Sequence, residues 1–106
     1  MYLVREIMYC KPGKVRPMVD KFLKMSKLSE RSGMPKMRTM TDFVGEQYWT
    51  IVVEMEVASL AEFEKMMSPE GMADMPPADM KEMEEIMKDY HDLVLRGRRE
   101  VFRIEG

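Results

Sequence analysis

Apolar and polar residues alternate along residues 2 to 10 and again along 48 to 57, the two-residue period of a strand. In the second run Trp49, Ile51, Val53, Met55 and Val57 share one face, and Tyr48, Thr50, Val52, Glu54 and Glu56 the other. After the first run the period changes. Val15, Met18, Val19, Phe22, Met25 and Leu28 recur at three- and four-residue spacing, which predicts a helix to about residue 31 with one apolar face. Lys11-Pro12-Gly13 separates strand from helix, Pro17 belongs in the first helical turn, and Gly33 followed by Pro35 is a stop signal.

The remaining elements follow from the same reading. Residues 36 to 44 predict a second strand, and Gly45-Glu46 a two-residue hairpin into the strand at 48 to 57. Ser59-Leu60-Ala61-Glu62 is a capping box that opens a short helix. Pro and Gly make 68 to 77 a loop. Met80, Met83, Ile86, Met87, Tyr90, Leu93 and Val94 place a stripe on a longer helix, from about 78 to 96, with Gly97 as its stop. Residues 98 to 105 predict the last strand. The order β-α-β-β-α-α-β predicts one α+β domain over residues 1–106. It is a ferredoxin-like split β-α-β with a four-stranded antiparallel sheet and a second helix broken in two.

In that topology the helices cover one side of the sheet. The other side offers Tyr48, Thr50 and Val52 before reaching Glu54, too apolar a face for open water. The simplest closure is a homodimer, sheet against sheet.

Composition narrows the function. Of 106 residues, 45% are apolar and 34% charged, with net charge −2, so no strong field favours nucleic acid or an anionic membrane. Arg5 and Glu6 stand where a signal peptide needs an apolar run, and no stretch approaches the roughly 20 apolar residues of a membrane span. A cytoplasmic protein is expected. Cys10 is the only cysteine, which excludes an intrachain disulfide and fits a small buried hydrophobe.

The strand ending in Lys11-Pro12-Gly13-Lys14, the amphipathic helix, the Gly-containing hairpin, and the run from Glu56 to Phe63 that opens a short helix together resemble the dimeric α+β barrel superfamily. The likeness is greatest to NIPSNAP-like and antibiotic-biosynthesis-monooxygenase-like proteins. NIPSNAP-like members carry Glu-x-Arg-x-Tyr ahead of the Lys-Pro-Gly; here the run is Val4-Arg5-Glu6-Ile7-Met8. The resemblance implies a homodimer with a pocket beside each sheet. Its members include cofactor-free monooxygenases, haem-degrading enzymes, isomerases and proteins without known activity. The haem-degrading branch uses an Asn, a Trp and a His; this chain has no Asn, and Trp49 is expected in the core. No cofactor is expected.

The expected ligand is an apolar or aromatic small molecule, with Glu6, Arg38, Tyr48, Glu54 and Arg103 as ligand-binding candidates on the barrel face. The competing reading gives these charges to an ion-pair network that fixes a non-enzymatic dimerisation module. His91, the only histidine, is the weak catalytic candidate, set against a helix-end histidine among carboxylates. The 15 methionines could hold Cu(I) through soft sulfur, but Met80, Met83 and Met87 fall on a helix stripe and Met37 and Met40 alternate faces on a strand, so they read as core filling; no metal site is expected. Met72 and Met75 escape the periodicity and are expected to form a lid over the pocket mouth.

Overall fold

The computed structural model describes residues 1–69, 71 and 75–106. Strand β1 (Tyr2–Cys10) leads through a turn into helix α1 (Val15–Arg31). Strands β2 (Met37–Thr41) and β3 (Thr50–Val57) follow, then helices α2 (Leu60–Met67), α3 (Pro77–Ile86) and α4 (Tyr90–Leu93), and strand β4 (Val94–Arg103). The sheet order is β2-β3-β1-β4, antiparallel throughout. This is the expected α+β, ferredoxin-like arrangement.

Local signals explain the junctions. Lys14 N–H donates to Lys11 C=O at 3.0 Å, and Gly13 takes φ +76°, so Pro12 and Gly13 occupy the turn positions that suit them. At the end of α1, Gly33 takes φ +75°. Met34 N–H donates to Ser29 C=O, and Gly33 N–H to Glu30 C=O. That pair of bonds is a Schellman stop, and it turns Met34 and Pro35 back towards the sheet. Ser59 caps α2 by accepting from Glu62 N–H at 3.1 Å, and the Glu62 carboxylate accepts from Ala58 N–H at 3.2 Å.

Register sorts the faces. Met8 pairs with Ile51, Glu6 with Val53 and Val4 with Met55, so the even residues of β1 and the odd residues of β3 look to the helices. Met8, Cys10, Ile51 and Val53 pack there against Met18, Val19, Phe22 and Leu93.

Two regions differ from expectation. β2 ends at Thr41 and β3 starts at Thr50, so the predicted two-residue hairpin is a loop over 42–49. Asp42 makes it: its Oδ1 accepts from Thr50 N–H at 2.8 Å, and its own N–H donates to Thr50 C=O at 3.1 Å. A side chain that bonds backbone across a loop competes with strand pairing. Trp49 is left with φ +60° and 44% exposure, not in the core; its left-handed backbone breaks the alternation that grouped it with Ile51. Lastly, the long helix stops at Ile86. β4 begins at Val94 rather than 98 because β1 supplies a partner along its whole length, and Gly97 lies inside that strand opposite Met8.

Candidate functional site

Between the helix-facing side of the sheet and the helices lies a chamber of about 420 Å³. Methionines form most of its wall. Met8 and Met55 rise from β1 and β3, with Met37 from β2. Met25 comes from α1 and Met34 from the stop that follows it. Met66 and Met67 belong to α2, and Met83 to α3; Met75 and Met87 flank α3. Each stripe is core-like when taken alone. Together they line a partly open space, because α3 has half-buried side chains but no fully buried residue and packs on α1 rather than on the sheet. Phe22 and Tyr90 complete the wall, edge-on with centroids 6.5 Å apart.

Among the described residues, one ion pair reaches the chamber. Glu6 on β1 and Arg99 on β4 are register partners, and the Arg99 guanidinium hydrogen-bonds the Glu6 carboxylate. The same guanidinium lies over the Phe63 ring, 5.3 Å from its centroid. Burial raises the Tyr90 phenol above its ordinary value, helped by the negative charge of Glu6. The chamber is therefore apolar and polarisable, with a charged edge at Glu6 and Arg99.

The opposite face of the sheet carries a denser set of charges. Glu54 is buried and sits between Arg5 at 3.7 Å and Arg38 at 3.5 Å. Arg5 also meets Glu100 at 3.7 Å and stacks over Phe102 at 5.1 Å. Arg98 pairs with Glu100 at 3.4 Å and donates to the Tyr9 hydroxyl at 2.9 Å. Leu3, Ile7, Met40 and Val52 fill the gaps, since β1 contributes its odd residues here.

No family profile and no curated protein matches the chain. Solved structures do. A NIPSNAP domain protein from Burkholderia xenovorans superposes with TM-score 0.75 at 10% identity, over 99% of this chain and 95% of that one. A candidate antibiotic biosynthesis monooxygenase from Deinococcus radiodurans gives TM-score 0.63 at 8% identity, over 100% and 94%. A dimeric protein of unknown function and ferredoxin-like fold from Bacteroides fragilis gives 0.57 at 7%, over 97% and 96%. This chain has the ferredoxin-like fold that these structures share. At these identities the likeness is one of fold.

Within this ferredoxin-like fold the predicted site residues separate. Arg38 and Glu54 come together on the bare face. Glu6 lies on the other face, at the chamber. Arg103 pairs with Tyr2 and so takes the helix-facing side at the sheet's end; Phe102 takes the bare face instead. The assignment reverses because β4 pairs with β1 in a register that the strand's own alternation does not fix. Tyr48 stands in the 42–49 loop, exposed and outside β3. His91 is exposed on α4, edge-on to Tyr90 at 5.3 Å between centroids, and does not line the chamber. Of the expected lid, Met75 lines the chamber and Met72 lies outside the described residues. Sequence reasoning missed Arg99, placed on β4's helix-facing side by the same register. Among the described residues, no group of three or more His, Cys, Asp or Glu could hold a metal ion. Cys10 is buried, as expected; burial and the nearby Asp42 charge raise its thiol.

Proposed function

We propose that this protein binds an apolar, aromatic small molecule in the methionine chamber and works as a homodimer closed through the bare sheet face. The observation that carries the ligand reading is the chamber itself. About 420 Å³ lies within the range of small-molecule sites and far exceeds the needs of one metal ion. Thioethers adapt to irregular shapes and make favourable contacts with aromatic rings. Glu6 and Arg99 then address the ligand's one polar group: the guanidinium holds an anionic oxygen, and the carboxylate accepts a proton from an acidic O–H or C–H. The anion so formed can react with dioxygen or be reprotonated elsewhere, giving cofactor-free oxygenation or isomerisation driven by the ligand's own reactivity. The dimer reading draws on the apolar residues among the bare-face charges and on the dimeric Bacteroides fragilis neighbour of the same fold.

The test is thermal shift with planar aromatics such as 1-naphthol and 1-naphthoic acid. A ligand of the folded state raises the midpoint. Met83→Trp fills the chamber from α3 and should abolish the shift while leaving the fold intact. No shift with any aromatic would remove the ligand reading. It would favour the interaction module, which the satisfied Arg5–Glu54–Arg38 cluster supports.

A further inference from the structure

Among the described residues, the β2–β3 loop holds the most exposed large apolar side chains. Phe43 is 100% exposed and Val44 is 90% exposed, and Tyr48 beside them is also open to solvent. Isolated exposed apolar residues need no explanation, but several on one short loop do. The loop is also anchored. Asp42 ties both ends through Thr50, the Thr50 hydroxyl donates to Gln47 C=O at 3.1 Å, and Arg96 donates to the Gln47 side chain at 2.7 Å. Trp49 at φ +60° is a conformation that costs energy in a non-glycine residue and persists only where surroundings enforce it.

We infer that residues 42–49 form a preformed dimerisation arm, whose Phe43 and Val44 seat against the bare sheet face of a second copy of this chain. The inference rests on the homodimer reading and adds the residues that hold it together. Three observations select a second copy as the occupant. First, the arm and the bare face are continuous: Phe43 and Val44 border one open concavity of about 440 Å³ with Ile7, Tyr9 and Val52. A two-fold axis through that face sends each arm towards the other's concavity, the self-complementary geometry of an isologous contact. Second, the face carries both signs, Arg5, Arg38 and Arg98 with Glu54 and Glu100, so it can meet itself without net repulsion. Third is area. Four strands about 4.8 Å apart and about eight residues long present a footprint of roughly 500 Å². Stable interfaces take about 800 Å² from each partner. The arm's aromatics, at about 150 to 250 Å² each, enlarge the contact towards that size. A lipid surface suits the arm less well: Asp42 and Glu46 are its only charges, and an anionic leaflet repels them.

Sedimentation equilibrium of the wild type and of Phe43→Ser/Val44→Ser tests the arm. Both side chains lie in solvent in the monomer, so the double variant keeps its fold. The expected result is a wild-type dimer and a variant whose dimer dissociation constant rises at least about tenfold, which is about 1.4 kcal/mol. Trp49 is the only tryptophan, and its emission should shift to the blue as wild-type concentration rises, with no such shift in the variant. A wild-type dimer matched by an equally tight variant overturns the arm and leaves the dimer reading standing. A wild type that stays monomeric overturns both. So does a monomer that partitions onto vesicles, which would assign the loop to a lipid surface.

Discussion

Lys21 reaches from the middle of α1 to the last carbonyl of α3, its ammonium donating to Ile86 C=O at 2.9 Å. Asp89 lies 4.0 Å from the same ammonium. At the other end of α3, Arg31 donates to Asp79 at 2.9 Å, and Ser32 donates to the same carboxylate at 3.1 Å. The helix that roofs the chamber is thus fastened to α1 by polar bonds at both ends, not by buried side chains. The cation at the C-terminal end also suits the helix dipole.

Replacing Lys21 with Met keeps the aliphatic stem and removes the bond. Loss of a charged, half-buried hydrogen bond should cost about 1 to 2 kcal/mol. In a domain of this size that lowers Tm by roughly 5 to 10 °C. An unchanged Tm in calorimetry would mean that the Ile86 carbonyl is as well served by water.

Glu6 and Arg99 should be coupled. Arg99→Met leaves the Glu6 carboxylate facing a largely apolar chamber without its partner, whereas Glu6→Gln/Arg99→Met removes both charges. Because the Arg99 side chain is 48% exposed, solvent screens the pair, and a double-mutant cycle should give a coupling of about 0.5 to 1 kcal/mol. Arg99→Met should also lose its thermal shift with 1-naphthoate more than with neutral naphthalene. Equal loss for both would show that the guanidinium does not read the ligand's charge.

Tyr90 supplies a pH signature. Its phenol is raised above the ordinary value of 10.0 by burial first and by Glu6 next. Below the unfolded value both states keep the proton, and its contribution to stability is fully present. As pH rises from the unfolded towards the folded value, the unfolded chain ionises first and the contribution is lost. Urea midpoints should therefore fall above about pH 10, with a shallower fall in Tyr90→Phe. Parallel curves for the two proteins would place the alkaline loss elsewhere.

Cys10 should be a slow thiol. Burial and the Asp42 charge keep it protonated well into the alkaline range, and the thiolate is the reactive form. Alkylation by iodoacetamide in native buffer at mildly alkaline pH should be slow and should accelerate with added urea in step with unfolding. Rapid native labelling would contradict the core position.

Much of this architecture is legible in the chain. Periodicity places β1, α1 and α2, and the Gly33 stop and the Ser59 cap mark ends that the structure keeps within a residue or two. What failed shares a cause. The strand alternation at Tyr48-Trp49 runs on past the point where Asp42 closes a loop, a decision made by one side-chain bond eight residues away. The stripe through Tyr90 and Val94 continues past α3 although β1 claims the chain for β4. Register, a relation between two strands, assigns Arg99 to the chamber and turns Arg103 away from the bare face. The chamber was hidden for a similar reason. Met83 on α3 and Met37 on β2 are each credible core residues, and only their separation in space shows that they line a void.

Those sulfur walls also set a chemical lifetime. A thioether takes one oxygen from peroxide and becomes a polar, chiral sulfoxide. Ten of the described methionines line one chamber, so its apolar character is open to loss by oxidation. Peroxide should therefore erode the apolar character of this chamber while the sheet, whose strand pairing needs no sulfur, still holds.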